Sequence, residues 1–336
     1  MAQLGMTLPA IYSTRPPNSI SASVAKSERL ISRKSNWLHE RRMDSRLIRV
    51  RNFSGLLLLS LAMPAVSHGQ SAAAPPPGSE PRSSELVRRA LATELSAARD
   101  SSHPMRYRLR KSSPRLTSTK EIIETRDGAV ALLVSIDDKP PSQLDEQKEK
   151  ARLDGLLTDP GRQGRRKQSQ ETDTGRALKV LRALPKAFLY QYAGTAASGS
   201  GTVERFTFTP NPAFNPPDLE TQVLTALNGE IWIDAAHERV VRLEGHLKQD
   251  VDFGWGILGR LNKGGWIVIE QAELSGGQWR IVRFKMVMTG RVLFKTRSFD
   301  TTEEETQFAP VPAGLSYQQG IQMLRTGQEH GASGGR

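Results

Sequence analysis

From Met105 onward, apolar residues recur at every second position in one short run after another. That alternation limits the fold more than any other feature, because period two sends successive side chains to opposite faces of a pleated strand. The runs are Met105–Arg110, Lys120–Arg126, Ala129–Ile136, Phe188–Tyr192, Thr202–Thr209, Glu230–Asp234, Arg239–Lys248, Trp266–Leu274, Trp279–Thr289 and Gly290–Phe299, with a last one through Glu303–Phe308. Asp127-Gly128 and Gly276-Gly277 separate pairs of them and are hairpin signals. About ten strands joined by short turns predict an α+β fold: a single strongly curved antiparallel sheet, a half-barrel, with helices packed on one face.

Two stretches break the rhythm. Ser84–Arg99 carries Leu86, Ala90, Leu91 and Leu95 at helical spacing, with Ser84 as the cap. Between Pro141 and Leu184 the period lengthens again, with Ser142 and Asp145 as a capping box for a helix to Leu157 and Thr174 opening a second that ends at Pro185. Asp159–Gln168, rich in Arg and Lys, reads as a solvated connection between them. No aromatic residue interleaves its charges, as a nucleic-acid platform requires. A loop follows from the prolines of Pro210–Pro217, the strand around Gly194 breaks into a loop at 194–201, and Ser316 caps a short C-terminal helix. Residues 83–325 thus form a single domain with a helical insert at 142–186, and 326–336 form a disordered tail.

The chain has 336 residues and a formal charge of +12, which by itself points to nucleic acid or anionic membranes. Position decides otherwise, because residues 1–69 hold ten basic and three acidic residues and so most of the excess. Met43-Asp-Ser-Arg-Leu-Ile-Arg-Val-Arg followed by Phe53–Val66 has the charged start and apolar core of a signal peptide spanning 43–69. The apolar part is too short to cross a bilayer as an anchor. Met43 is the expected start, 1–42 a doubtful upstream extension, and 70–82 a disordered Pro/Ala linker. The expected location is therefore periplasmic or secreted. With no cysteine, the chain forms no disulfide, offers no thiolate to a metal and cannot be a lipoprotein. The polar end Gly327–Arg336 does not read as the closing strand of an outer-membrane barrel.

Alternation also nominates site residues. In Trp279–Met288 one face carries Val282, Phe284, Met286 and Met288, and in Arg239–Lys248 the apolar set is Val241, Leu243 and Leu247. These positions are either ordinary core or the wall of an apolar pocket that the helices leave unfilled, with Trp232, Phe284, Met286, Met288 and Phe294 as wall residues. His246, Asp250 and Asp252 share one strand face. The two carboxylates serve as a hard-cation site, for which several further oxygens and the rest of a calcium-loop pattern are missing, as acid and base for hydrolysis, or as a structural pair meeting Arg260, Lys263 or backbone N–H groups. Gly254–Gly259 matches G-x-G-x-x-G, but no helix follows it to meet a pyrophosphate. No catalytic or cofactor motif stands out, the histidines are scattered, and no metal or cofactor is expected.

Gly229-Glu-Ile-Trp-Ile-Asp234 with Arg239-Val-Val-Arg-Leu-Glu-Gly245 resembles a hairpin of the LolA/LolB-like periplasmic lipoprotein-carrier superfamily. That resemblance implies an open half-barrel whose helices plug an apolar cavity that receives lipid. Pro185-Lys-Ala-Phe-Leu, Phe206–Phe214, Asp252-Phe-Gly-Trp-Gly and Asn262-Lys-Gly-Gly resemble an uncharacterised family of exported Gram-negative bacterial proteins, which implies no activity. The expectation is a periplasmic, non-enzymatic binding or carrier protein for a lipid or other elongated hydrophobic ligand, without nucleic-acid partners or a transmembrane anchor. The alternatives are a hydrolase using Asp250 and Asp252, and a structural or protein-interaction module of the cell envelope.

Overall fold

A computed structural model describes residues 80–199, 201–253, 259–292 and 295–333. The expected signal peptide, Phe294 and the glycine-rich segment 254–258 lie outside the described residues. Twelve strands are β1 Met105–Ser113, β2 Leu116–Ile123, β3 Val130–Ile136, β4 Phe188–Ser198, β5 Gly201–Pro210, β6 Leu227–Asp234, β7 Arg239–Leu247, β8 Val251–Phe253, β9 Gly259–Leu261, β10 Trp266–Glu273, β11 Trp279–Val292 and β12 Lys295–Pro310. Among them stand helices α1 Glu80–Ala97, α2 Gln143–Thr158, α3 Pro160–Ala187, α4 Leu219–Gln222 and α5 Tyr317–Ser333.

The strands form one antiparallel sheet in the order β3-β2-β1-β12-β11-β10-β7-β6-β5-β4, with β8 and β9 attached through β11. It is open, with β3 and β4 at its two ends. The chain must therefore travel from one end to the other between β3 and β4, and α2 and α3 make that journey. At 28 residues, α3 is about 42 Å long, close to the roughly 43 Å that nine interstrand spacings occupy.

Several elements differ from the sequence reading. The first helix begins at Glu80, so Ser84 lies inside it. The basic stretch after Asp159 is helical: the Asp159 side chain accepts from Arg162 N–H and Pro160 occupies the first turn, where its missing N–H costs nothing. Gly194 marks a bulge, and β4 continues to Ser198. Gly290 does not turn the chain, because β11 runs through it to Val292 and β12 takes up the rest as one long strand. The final helix continues to Ser333, into the segment expected as tail. Ser316 does cap it, accepting from Gln319 N–H while the Gln319 carboxamide accepts from Ser316 N–H.

Three apolar clusters hold the molecule together. The largest joins one face of β4–β7, β10 and β11, including Ile231, Leu243, Ile269 and Phe284, to Leu86, Val87, Ala90 and Leu91 of α1 and Leu181, Leu184 and Ala187 of α3. A second packs Leu153 and Leu156 of α2 and Ile321 and Leu324 of α5 against Ile123, Val130 and Leu132. A third lies among Tyr107, Leu109, Ile122 and Ala131. The register carries Phe284 across Glu303 to Lys111 and so to the Tyr107 face of β1. Helices α1 and α3 are thus on the expected face, whereas α2 and α5 cover the reverse of β2 and β3. No helix among the described residues is long and apolar enough to cross a membrane.

Candidate functional site

The residues nominated as a pocket wall are not together. Phe284, Met286 and Met288 are buried in the main core, the cluster that also holds the apolar residues of α1 and α3. Trp232 pairs with Arg242, and Arg242 with Glu270, on the opposite face. Trp232 lies there because it alternates with the core residues Ile231 and Ile233, and two bulges shift other members of the apolar set. The register skips Val241 opposite Trp232/Ile233 and Val282 opposite Glu270/Gln271, so Val240 and Ile281 join the core face with Leu243 and Phe284. Trp232 instead lies between two guanidinium groups, 5.4 Å from Arg205 and 5.6 Å from Arg242, and donates to Glu230 at 3.0 Å. That indole N–H bond, with Arg205 beside it, outweighs the carboxyl's partial burial and holds the Glu230 pKa below the usual range.

Nor is the apolar face left unfilled. Helix α1 is locked onto it by Glu94, which accepts from Arg239 at 2.8 and 3.0 Å and from Val240 N–H at 2.9 Å. Both ionic partners are almost wholly buried, so lifting α1 would strand a charge in the core.

Asp250 and Asp252 do meet, on Arg260. Asp252 accepts from it at 2.6 and 2.8 Å, Asp250 at 3.3 Å, and Asp250 also accepts from Lys263 N–H at 2.8 Å. His246 bonds to Glu244 instead, at 2.9 Å. Both side chains are about two-fifths exposed (Asp250 38%, Asp252 41%) and share Arg260, rather than sitting in the buried setting that an acid–base pair requires. The arrangement ties β8 to β9 and does not assemble a hydrolytic pair.

A cleft of about 720 Å³ opens elsewhere, between the α1–β1 connection, the turn from β2 to β3, the middle of α3 and Gly314-Leu315. Ala98, Pro104, Ala129, Leu178 and Leu315 give it apolar walls, and Arg99, Asp100, Lys167 and Glu171 stand among the residues around them. Ala98 packs against the main core and Leu315 belongs to the second, so the cleft lies on the seam between the two. Helix α3 bridges that seam. Its first half is tied to the β2–β3 turn, Gln163 donating to Asp127 O at 2.8 Å and Gln170 accepting from Ala129 N–H at 3.1 Å. Its second half enters the main core with Leu181, Leu184 and Ala187. Gly175 lines the cleft between the two anchored halves, with open space where its Cβ would be. Gly128 takes a positive φ of 92°, the left-handed region that favours glycine.

Sequence reasoning missed this cleft because the expected connection at 159–168 hid the helix that forms its wall. Asp159-Pro160 as cap and first-turn proline was the available signal.

The chain matches no known family model and no curated protein. It is similar to solved structures. One is an outer membrane lipoprotein-sorting protein domain from Vibrio parahaemolyticus, with 11% identity, 70% of this chain and 97% of that chain covered, and a TM-score of 0.28. Another is a DUF1329 family protein from Desulfovibrio piger, with 10% identity, 70% and 95% coverage, and a TM-score of 0.26. A third is MucB in complex with MucA(peri), with 11% identity, 69% and 100% coverage, and a TM-score of 0.21.

Proposed function

We propose that this chain is an exported, periplasmic, non-enzymatic binding protein for an elongated amphiphile, a lipid among them, taken into the cleft at the seam of its two cores. The carrying observation is the cleft itself: apolar walls, charged residues among them, and a volume of about 720 Å³, which suits a small-molecule site. A hollow between two separately packed clusters takes a ligand without displacing core side chains, whereas Met286 and Met288 are buried inside the main core. The charged residues suggest the head group. Arg99 is exposed and finds no side-chain partner among the described residues, whereas Asp100 accepts from Ser102 and Lys167 lies 4.0 Å from Glu171. Carboxylates outnumber cations around the cleft (Asp100, Glu124, Glu171 and Asp173 against Arg99, Arg126 and Lys167), and Arg126 and Lys167 each lie by a carboxylate, so Arg99 is where an anionic head would be met.

Dodecanoate and dodecyltrimethylammonium, titrated separately into the mature protein and followed by amide resonances, test this. Dodecanoate should move the signals of Ala98, Leu178 and Leu315, Leu178→Glu should abolish the response, and Arg99→Glu should weaken it. Equal uptake of both probes would refute the anionic head. Shifts confined to Phe284 and Met286, or no binding at all, would refute the site.

A further inference from the structure

β4 ends the sheet with 11 residues, Phe188-Leu-Tyr-Gln-Tyr-Ala-Gly-Thr-Ala-Ala-Ser198. Its inner side pairs with β5. Among the described residues, no helix, loop or side chain from outside that hairpin bonds to the backbone of 189–198. A row of unpaired N–H and C=O groups is a template for another strand, and proteins usually blunt such an edge with lysine, proline or an inward charge. β4 carries none of these; its one irregularity is the bulge at Gly194, and Leu189 and Tyr192 upstream of it are 45% and 53% exposed.

We propose that β4 is the edge through which two copies of this chain pair, antiparallel, into one continuous sheet. Charge selects the occupant. The protein is net positive, so two copies approach only where like charges do not face each other, and no charged residue lies between Lys186 and Glu204. A charged foreign segment finds no countercharge on this strand, whereas a second β4 is matched in length and neutrality. Pairing about Gln191 sets Tyr190 beside Tyr192 of the second copy and Leu189 beside its Ala193, and the Gly194 bulge ends the ladder. No residue of β4 lines the cleft, so this interface is independent of the binding function proposed there.

The chain has no cysteine, so one introduced thiol can join only to its own copy. Light scattering across a concentration series should give the mass of two chains for the mature protein. Leu189→Lys, at an exposed position, should raise the dimer dissociation constant about tenfold or more, because a lysine on an edge strand blunts its pairing with another strand. Gln191→Cys should be captured as a covalent dimer by a short bis-maleimide, and Leu116→Cys, exposed near the other end of the sheet, should not. A single-chain mass at every concentration overturns the proposal, as does a dimer that survives Leu189→Lys or is captured equally through both thiols.

Discussion

The two ends of the sheet are finished in opposite ways. At β3, side chains replace the missing strand: Asp127 O, Ala129 N and O, Ala131 O and Leu133 N meet Gln163, Gln170, Arg152 and Glu149 of α2 and α3. These are alternate residues, the ones whose backbone groups face outward in an antiparallel ladder. At β4 the corresponding row meets nothing among the described residues. The same helical insert causes both conditions. It leaves β3, folds back against its edge, and runs on to deliver the chain into β4, with α3 spent on the way. The contrast shows an edge sealed by long polar side chains from a helix and an edge left for another strand.

The seal should break most visibly at its charged pair. Glu149 accepts from Leu133 N–H at 2.8 Å and from Arg152 at 2.6 Å, with both side chains nearly buried. Glu149→Ala removes one partner of that pair and should cost about 3 kcal/mol, read as a lower denaturant midpoint at unchanged slope. Aggregation should accompany it, because β3 then presents a bare edge like that of β4. A smaller effect, about 1 kcal/mol, is expected of Gln170→Ala, which loses only the neutral bonds to Ala129. Acid gives a graded version. Burial works against the Glu149 charge, but Arg152 and the Leu133 N–H outweigh it and hold its pKa below the ordinary 4.5. A lowered folded-state pKa contributes stability that is present above the unfolded value and lost as pH falls through the folded one. The seal should therefore hold at neutral pH and weaken below about pH 4.5, while a Glu149→Gln variant shows a flatter acid limb.

Much of this architecture is legible in the residues, and the failures have physical causes. Alternation finds most of the strands, Asp127-Gly128 finds the β2–β3 hairpin, and Ser142 and Ser316 mark true helix starts. Bulges leave no trace in composition: the extra residue at Val241 moves Val240 into the core and the one at Val282 moves Ile281 there. The sequence equally hides which end of the sheet an insert will cover, because Gln163 and Gln170 look like ordinary polar helix residues until a strand edge lies seven positions' reach along them. Gly290 misled for another reason. A Cβ there would meet Arg260 O at 2.4 Å, so the glycine permits β9 to lie close rather than marking a turn. The cleft fell to the same blindness, since it exists only where two clusters fail to merge.

The smallest expected effect is the sharpest test of the contrast. Leu189→Lys touches no core contact and should change monomer stability by less than about 0.5 kcal/mol. Amide exchange then distinguishes the edges without reference to stability. Ala129 and Leu133 are held by side chains of their own molecule, so their exchange should be insensitive to dilution. Outward amides of β4 have no such partner, so they should exchange slowly in concentrated solution and quickly on dilution, with Leu189→Lys fast throughout. Dilution-insensitive protection at both edges would mean that β4 is covered within one chain, and fast exchange at every concentration would mean that it stays bare. Either result would leave the unequal finish of the two ends in place and remove its assignment to a second copy.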